Sequence, residues 1–266
     1  MNIWQSIVLG LVQGATEFLP ISSSGHQIIA GRIIGLSYVP LGFELLTHLA
    51  TLLAVIIAMR KILFPLIRRP LQKINFLIIV ATVPTVIIFF VFRGLFEQAF
   101  DGRWLAICFV ITAIILFVSS LKKEKQLSKS NSVPLANNKK IGFLDAAIIG
   151  VAQGAAGMPG ISRSGITIGT AKLLGQNQTD AARFSFLISI PLILGASLWQ
   201  FISSGFSFGI SVAPAIGGFL AAFVSGFIAI TLFMKLISRF SLNGFSIYLV
   251  ALAIFMLLND LVFMLF

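Results

Sequence analysis

Six stretches of the 266-residue chain, at 41 to 59, 74 to 92, 103 to 120, 184 to 202, 211 to 233 and 247 to 264, run for about twenty residues with almost no charge. Each is long enough to cross roughly 30 Å of hydrocarbon at about 1.5 Å per residue in helical form. With 58% hydrophobic residues and a mean hydropathy of +1.04, the chain lies outside the balance of soluble domains. The expectation is an all-α integral membrane protein with six transmembrane helices. The N-terminus has no basic region and leads into polar residues instead of a small-residue cleavage site, so no cleavable signal is expected.

The net charge of +11 is not spread along the chain. Arg60, Lys61, Arg68, Arg69 and Lys73 form one basic loop, and Lys122, Lys123, Lys125, Lys129, Lys139 and Lys140 form another. Both flank apolar runs instead of decorating an aromatic-lined surface. That excludes nucleic acid as the partner and places both loops in the cytoplasm, beside anionic membrane lipids. The lone Cys108 lies inside an apolar run, so it forms no internal disulfide and reads as a small packed hydrophobe.

Polar residues break the apolar sequence twice, and the two breaks are copies. Gln13-Gly-Ala-Thr-Glu17-Phe-Leu-Pro-Ile-Ser22-Ser23-Ser24-Gly25-His26 returns in the second half as Gln153-Gly-Ala-Ala-Gly157-Met-Pro-Gly-Ile-Ser162-Arg163-Ser164-Gly165-Ile166. Without a gap, ten positions between 10 and 35 repeat in 150 to 175: Gly10, Gln13, Gly14, Ala15, Ile21, Ser22, Ser24, Gly25, Ile28 and Gly35. The apolar helical runs beside each polar tip (3 to 17 and 24 to 36; 143 to 156 and 164 to 175) are only about 21 Å long, short for full crossings. Each pair therefore reads as a re-entrant helical hairpin, with its tip buried in protein near the bilayer centre.

The polar segment 121 to 141 reads as a linker between repeat one, 1 to 120, and repeat two, 142 to 266, of a single membrane domain. Three spans per half is an odd number. The halves become inverted-topology repeats whose hairpins enter from opposite faces. This path puts 60 to 73, 121 to 140, Lys235 and Arg239 inside, and 93 to 103 and 203 to 210 outside.

Few ionisable side chains then remain at membrane depth: Glu17, His26, Glu44, His48, Arg163 and Arg183. A charge there costs several kcal/mol unless it is paired or wet. Glu17 and Arg163 both sit at tips, so folding the repeats together brings an acid and a guanidinium to a common point. At each tip the chain breaks at Pro20 or at Pro159-Gly160, passes hydroxyls, and starts a new helix near Ser24 or Ser164. Two helix N-termini facing one cavity, with the donor fork of Arg163, make a receptor for phosphate.

Glu17 follows Gln13 by four residues, one helical face, where it suits a divalent cation (Mg²⁺ or Ca²⁺) or a polarised water. His26 follows Ser23 by three, near enough for imidazole to meet hydroxyl. Hydroxyl, imidazole, carboxylate and arginine are the parts phosphoryl transfer uses. Plainer readings stand beside these: Glu17 and Arg163 as a structural ion pair, His26 as a structural histidine, Glu44 as a support of the site or a partner of His48, and Lys172 and Arg183 snorkelling to the cytoplasmic face.

The segments Gln13-Gly-x-Thr-Glu17-Phe-Leu-Pro-x-Ser22-Ser23-x-Gly25-His26 and Pro159-Gly-x-Ser162-Arg163-Ser164-Gly165-x-Thr167 closely resemble the signature motifs of the undecaprenyl-diphosphate phosphatase family, the bacitracin-resistance protein type. Length, hydrophobic pattern, Phe43-Glu44 and Arg183-Phe-Ser-Phe-Leu extend the resemblance over nearly the whole chain.

The resemblance implies hydrolysis of the polyprenyl diphosphate lipid undecaprenyl diphosphate to undecaprenyl phosphate and inorganic phosphate in the bacterial plasma (inner) membrane, recycling the carrier for cell-wall synthesis. It implies catalytic roles for Glu17, Ser23, His26 and Arg163, with Glu17 also the metal ligand. Substrate binding falls to Gln13, Ser22, Ser24, Gly25, Glu44, Ser162, Ser164, Gly165 and Thr167. Gln13 stands where the family can carry a further carboxylate, so this chain brings one fewer to a metal. The competing reading is a carrier: inverted repeats around broken helices also build alternating-access transporters, and the same cradle could flip a lipid phosphate or pass a small anion.

Overall fold

The structure, a computed structural model, describes residues 1–122, 141–203 and 210–259. Most of the expected linker at 121 to 141, the middle of the expected outer loop at 203 to 210, and the end of the sixth apolar run fall outside these residues. The described chain is all helical, without a strand: α1 (Ile3–Glu17), α2 (Ser23–Ile33), α3 (Leu41–Ala58), α4 (Arg60–Arg68), α5 (Lys73–Ala99), α6 (Leu105–Leu121), α7 (Phe143–Ala155), α8 (Arg163–Leu173), α9 (Gln178–Ser203), α10 (Val212–Leu236) and α11 (Leu242–Leu258). Four of these, α3, α5, α9 and α10, are long and apolar enough to cross a bilayer, and α6, α7 and α11 are shorter apolar helices.

One sequence expectation is corrected. The basic stretch after residue 59 is not all loop, because Arg60–Arg68 winds into α4. Its Leu66 side chain is buried. The Asn75 amide donates to the carbonyls of Leu66, Arg69 and Pro70 at 2.9–3.2 Å, taking up carbonyls that the helix end and the turn after it leave without intrahelical partners.

The offset that carries Gln13 onto Gln153 also carries α2 onto the bounds of α8, and α1, α3, α5 and α6 closely onto α7, α9, α10 and α11. The halves are intertwined. Helix α1 packs along α10, and α7 packs along α5. Both contacts depend on the duplicated glycines. A Cβ at Gly10 would lie 2.4 Å from the Gly218 carbonyl, and one at Gly150 would lie 2.1 Å from the Ala81 carbonyl, so only glycine lets these backbones approach. The Thr85 hydroxyl reaches the Gly150 carbonyl at 2.8 Å, and its repeat counterpart Ser225 reaches the Gly10 carbonyl at 3.5 Å.

Helix α6 acts as a ruler for the two short pairs. Arg32, near the open end of α1/α2, donates to the Asp101 carbonyl at 2.5 Å, just before α6 begins. Lys122, just past its end, donates to the Leu173 carbonyl at the open end of α7/α8. The tips meet at its middle, where the Ser162 amide donates to Thr112 Oγ1 at 3.1 Å and Gly25 abuts Phe109. The core around this junction is aromatic, with Phe18 edge-on to Phe186 at 5.5 Å. Outer faces such as Ile79, Val83 and Ile87 of α5 are exposed and apolar.

Candidate active site

The first tip begins where α1 ends at Glu17 and closes at Ser22, whose Oγ caps α2 by accepting from the Gly25 amide at 3.3 Å. The second closes at Ser162, which caps α8 through the Gly165 amide at 3.1 Å. Their backbones differ. Ser22 is the one non-glycine residue among those described with a left-handed φ, 70°, whereas Ser162 has φ −79° and the positive φ falls on Gly160. A side-chain-bearing residue held there stores about 1–3 kcal/mol of strain, a condition that clusters at functional sites.

The tips are joined by side chains. Ser164 Oγ donates to the Leu19 carbonyl at 2.7 Å, and an Arg163 guanidinium N–H donates to Glu17 Oε1. Glu17 is buried and fully engaged: its Oε2 accepts from Gln13 Nε2 at 2.8 Å and from the Ser23 hydroxyl at 2.6 Å, with His48 Nε2 3.8 Å away. Gln27, which the sequence reading missed, donates from Nε2 to Gln13 Oε1 at 2.7 Å and so turns the Gln13 amide toward the carboxylate. The Gln27 Oε1 atom is buried without a partner.

These groups face a chamber of about 160 Å³ between the tips. The first turns of α2 and α8 border it, and N–H groups there have no intrahelical acceptor. The chamber shares Glu17, Glu44, His48, Gly157 and Arg163 with a vestibule of about 850 Å³ walled by Leu41, Leu45, Phe89, Phe96, Ile193 and Trp199, where Arg93, Glu97 and Asp101 add charged groups.

The expected site residues divide three ways. Gln13, Glu17, Ser22, Ser23, Ser24, Glu44, Ser162 and Arg163 line the chamber. Gly25, Ser164, Gly165 and Thr167 lie behind it: a Cβ on either glycine would strike Phe109 or Thr112 of α6, and Thr167 Oγ1 is 2.6 Å from Ser185 Oγ. His26 faces away. Its Nδ1 meets the Ser22 carbonyl at 2.7 Å and its Nε2 meets the Tyr248 hydroxyl at 2.6 Å, with no hydrogen bond to Ser23.

The imidazole in the chamber is His48. Its Nδ1 meets the Glu44 backbone carbonyl at 2.8 Å, not the Glu44 carboxylate. A carbonyl only accepts, so Nδ1 carries a proton, and the ring turns Nε2 toward Glu17 Oε2 at 3.8 Å. The sequence signal for it was a polar pair one helical turn apart in an otherwise apolar run. One other expectation is corrected: Lys172 does not snorkel but is buried, donating to Gln178 Oε1 at 3.0 Å. Arg183 pairs with Asp180 at 3.3 Å near the start of α9.

For a metal, the chamber offers hard oxygen donors, Glu17, Glu44 and Ser23. Among the described residues no group of three His, Cys, Asp or Glu side chains forms a cage. That donor set suits a hard divalent cation sharing its coordination with phosphate oxygens, as Mg²⁺ often does.

Compared with known proteins, residues 6–255 match the family described as Bacitracin resistance protein BacA. The chain is 41% identical over 253 residues to an undecaprenyl-diphosphatase of Carboxydothermus hydrogenoformans, covering 93% of this chain and 94% of the relative. It is 36% identical over 271 residues to an undecaprenyl-diphosphatase of Rubrobacter xylanophilus, covering 95% and 96%. It is 37% identical over 263 residues to undecaprenyl-diphosphatase 4 of Bacillus thuringiensis subsp. konkukian, covering 97% of each.

Proposed function

The chain belongs to the bacitracin resistance protein BacA family, and from that premise we propose that it is a multi-pass membrane enzyme hydrolysing undecaprenyl diphosphate to undecaprenyl phosphate and inorganic phosphate, so recycling a cell-wall lipid carrier. The observation that carries the reading is the 2.6 Å hydrogen bond from the Ser23 hydroxyl to Glu17. A carrier needs groups that bind an anion, whereas a hydroxyl already donating to a buried carboxylate, beside an arginine, is a nucleophile with its base. That contact favours the enzyme over the transporter or flippase.

In this reading the terminal phosphate enters the chamber, and the polyprenyl tail lies along the apolar vestibule and out into membrane lipid. Arg163 turns its fork from Glu17 to two phosphoryl oxygens, and the N–H groups at the starts of α2 and α8 receive the rest. Glu17, released from the guanidinium, takes the Ser23 proton as Oγ attacks phosphorus. The bond to the bridging oxygen breaks, and the lipid monophosphate leaves. Glu17 passes that proton to the departing bridging oxygen, takes one from the water that attacks the phosphoserine, and returns it to Ser23 Oγ as the phosphorus–oxygen bond breaks and inorganic phosphate is freed. Gln13, oriented by Gln27, holds Glu17 in register. Mg²⁺ or Ca²⁺ held by Glu17 would supply further neutralisation of phosphate charge.

The topology proposed is six spans and two re-entrant hairpins, arranged as inverted repeats, 1–120 and 142–266, in one domain of the bacterial plasma membrane. The constant offset between matching helices, the exchanged partners of α1 and α7, and the open ends of the short pairs at opposite ends of α6 support it. The vestibule is walled by the start of α3 and the ends of α5 and α9, away from Arg60–Lys73 and Lys235. By the excess of basic residues on the cytoplasmic side, the site opens outward. The test is phosphate release from polyprenyl diphosphate by purified protein in detergent with Mg²⁺ or Ca²⁺. Transport of the headgroup into vesicles without hydrolysis would overturn the reading.

A further inference from the structure

We propose that Tyr248, on α11, is a positioning residue for Ser23 and acts through His26, which braces the strained first tip instead of serving as a base. The inference rests on the phosphatase reading above for its catalytic meaning. The Ser22 carbonyl is held twice by His26, from its backbone N–H at 3.2 Å and from ring Nδ1 at 2.7 Å. Because the carbonyl can only accept, Nδ1 bears the proton. Nε2 of the neutral ring is then an acceptor, and the Tyr248 hydroxyl 2.6 Å away donates to it. The rings stack at 5.7 Å with 12° between their planes, so Tyr248 sets both tautomer and tilt. Fixing a functional imidazole through the hydrogen bond on its other nitrogen is a common outer-shell device.

What the imidazole fixes is the left-handed Ser22, whose following residue must deliver a hydroxyl to Glu17. The repeat supplies a control. At the second tip the counterpart of Ser22 is the relaxed Ser162, and the counterpart of His26 is Ile166, which has no ring nitrogen to offer. The brace occurs where the strain occurs. His26 lines neither the chamber nor the vestibule, and both of its nitrogens are committed.

The experiment measures kcat and KM for phosphate release from polyprenyl diphosphate by the purified full chain, for wild type, His26→Ala, His26→Gln, His26→Asn and Tyr248→Phe. Asparagine puts an amide N–H near the place of Nδ1, and glutamine puts one near the place of Nε2. His26→Ala and His26→Gln lower kcat about 10²-fold, the scale of a misplaced reacting group, with KM little changed. His26→Asn recovers most of that loss. Tyr248→Phe removes one hydroxyl from a half-exposed ring and lowers kcat about tenfold, the low end for an outer-shell partner. The shape of the kcat–pH profile stays that of wild type in His26→Asn and Tyr248→Phe.

Asparagine as inactive as alanine, or Tyr248→Phe equal to wild type, overturns the brace. A tautomer measurement decides it independently of turnover. The chain has two histidines, so ¹⁵N-histidine NMR, with His26→Asn for assignment, reads the His26 ring directly. The brace requires protonation on Nδ1, and a proton on Nε2 instead refutes it. A folded wild type that releases no phosphate would sink the phosphatase reading, while the tautomer still passes judgement on the contact.

Discussion

At the first tip Pro20 stands where the second tip carries Gly160, and the consequences differ down each turn. The proline ring locks φ at a negative value and cannot supply a left-handed residue. The reversal is displaced to Ser22, at φ 70°, whereas Gly160 takes φ 91° at little cost and leaves Ser162 ordinary. One residue further, Ser23 has Arg163 as its counterpart. One turn back, Glu17 has Gly157 as its counterpart, where a Cβ would lie 2.4 Å from the Phe96 ring. Duplication alone makes two capped helix N-termini, either of which would suit an anion. The differences at 17/157 and 23/163 divide the groups: the strained tip holds hydroxyl and carboxylate, and the relaxed tip holds the guanidinium.

The largest effects should come from breaking that division. Arg163→Ala should lower kcat/KM for phosphate release by roughly 10³–10⁵, the scale of an arginine serving phosphoryl transfer. Glu17→Gln, which keeps the shape but removes the acceptor of the Ser23 proton, should lower it by roughly 10²–10⁴. Melting in detergent would show that both variants remain folded. The reversed pair, Glu17→Arg with Arg163→Glu, should restore an ion pair and no turnover. Recovery of activity in that double variant would make the pair a brace and cancel the contrast between the tips.

Much of this contrast was legible in the sequence because it is carried by polar residues that lipid makes expensive. Glu17 and Arg163 had to be paired, and the gapless repeat placed them together. Helix bounds followed from the same polar breaks. What was not legible is side-chain direction. Ser23 and His26 lie within one helical turn, yet the spacing does not say that Ser22 would be left-handed and turn the imidazole onto Tyr248, far along the chain on α11. His48 escaped because nothing local distinguishes a histidine facing a cavity from one packed in a span. Lys172 was misread for a related reason: proximity to a membrane face suggests snorkelling, but Gln178 offers a buried acceptor first.

The placement of strain yields a smaller effect, on stability. Gly160→Ala puts a Cβ 2.8 Å from that of Cys108 at a left-handed φ, and should cost about 2–4 kcal/mol of stability, seen as a lower melting temperature. Ser22→Gly surrenders the cap on the Gly25 amide but relieves the backbone, so the two terms should offset to within about 1 kcal/mol. Equal losses in the two variants would mean that the tips share strain after all.

Away from the tips the halves should behave alike, and this gives the comparison its baseline. Gly10→Ala and Gly150→Ala each press a methyl onto a carbonyl of the opposite half, so each should cost about 1–3 kcal/mol. The smallest difference lies in the hydroxyls that cross the same interfaces. Thr85 Oγ1 shares its proton between the Gly150 carbonyl at 2.8 Å and its own Ala81 carbonyl at 2.9 Å and accepts from Gln153 Nε2 at 3.1 Å, so Thr85→Val removes the bond across the interface and strands a buried amide. Ser225 likewise donates to its own Ala221 carbonyl, at 2.7 Å, but reaches the Gly10 carbonyl only at 3.5 Å. Thr85→Val should therefore lower stability by up to about 1.7 kcal/mol and Ser225→Ala by about 0.6 kcal/mol or less, the measured range for hydrogen bonds between membrane helices. The order matters more than the sizes. A larger loss at Ser225 would mean that the α1–α10 contact depends on its hydroxyl, whereas the glycine-mediated approach of the two backbones makes that hydroxyl dispensable.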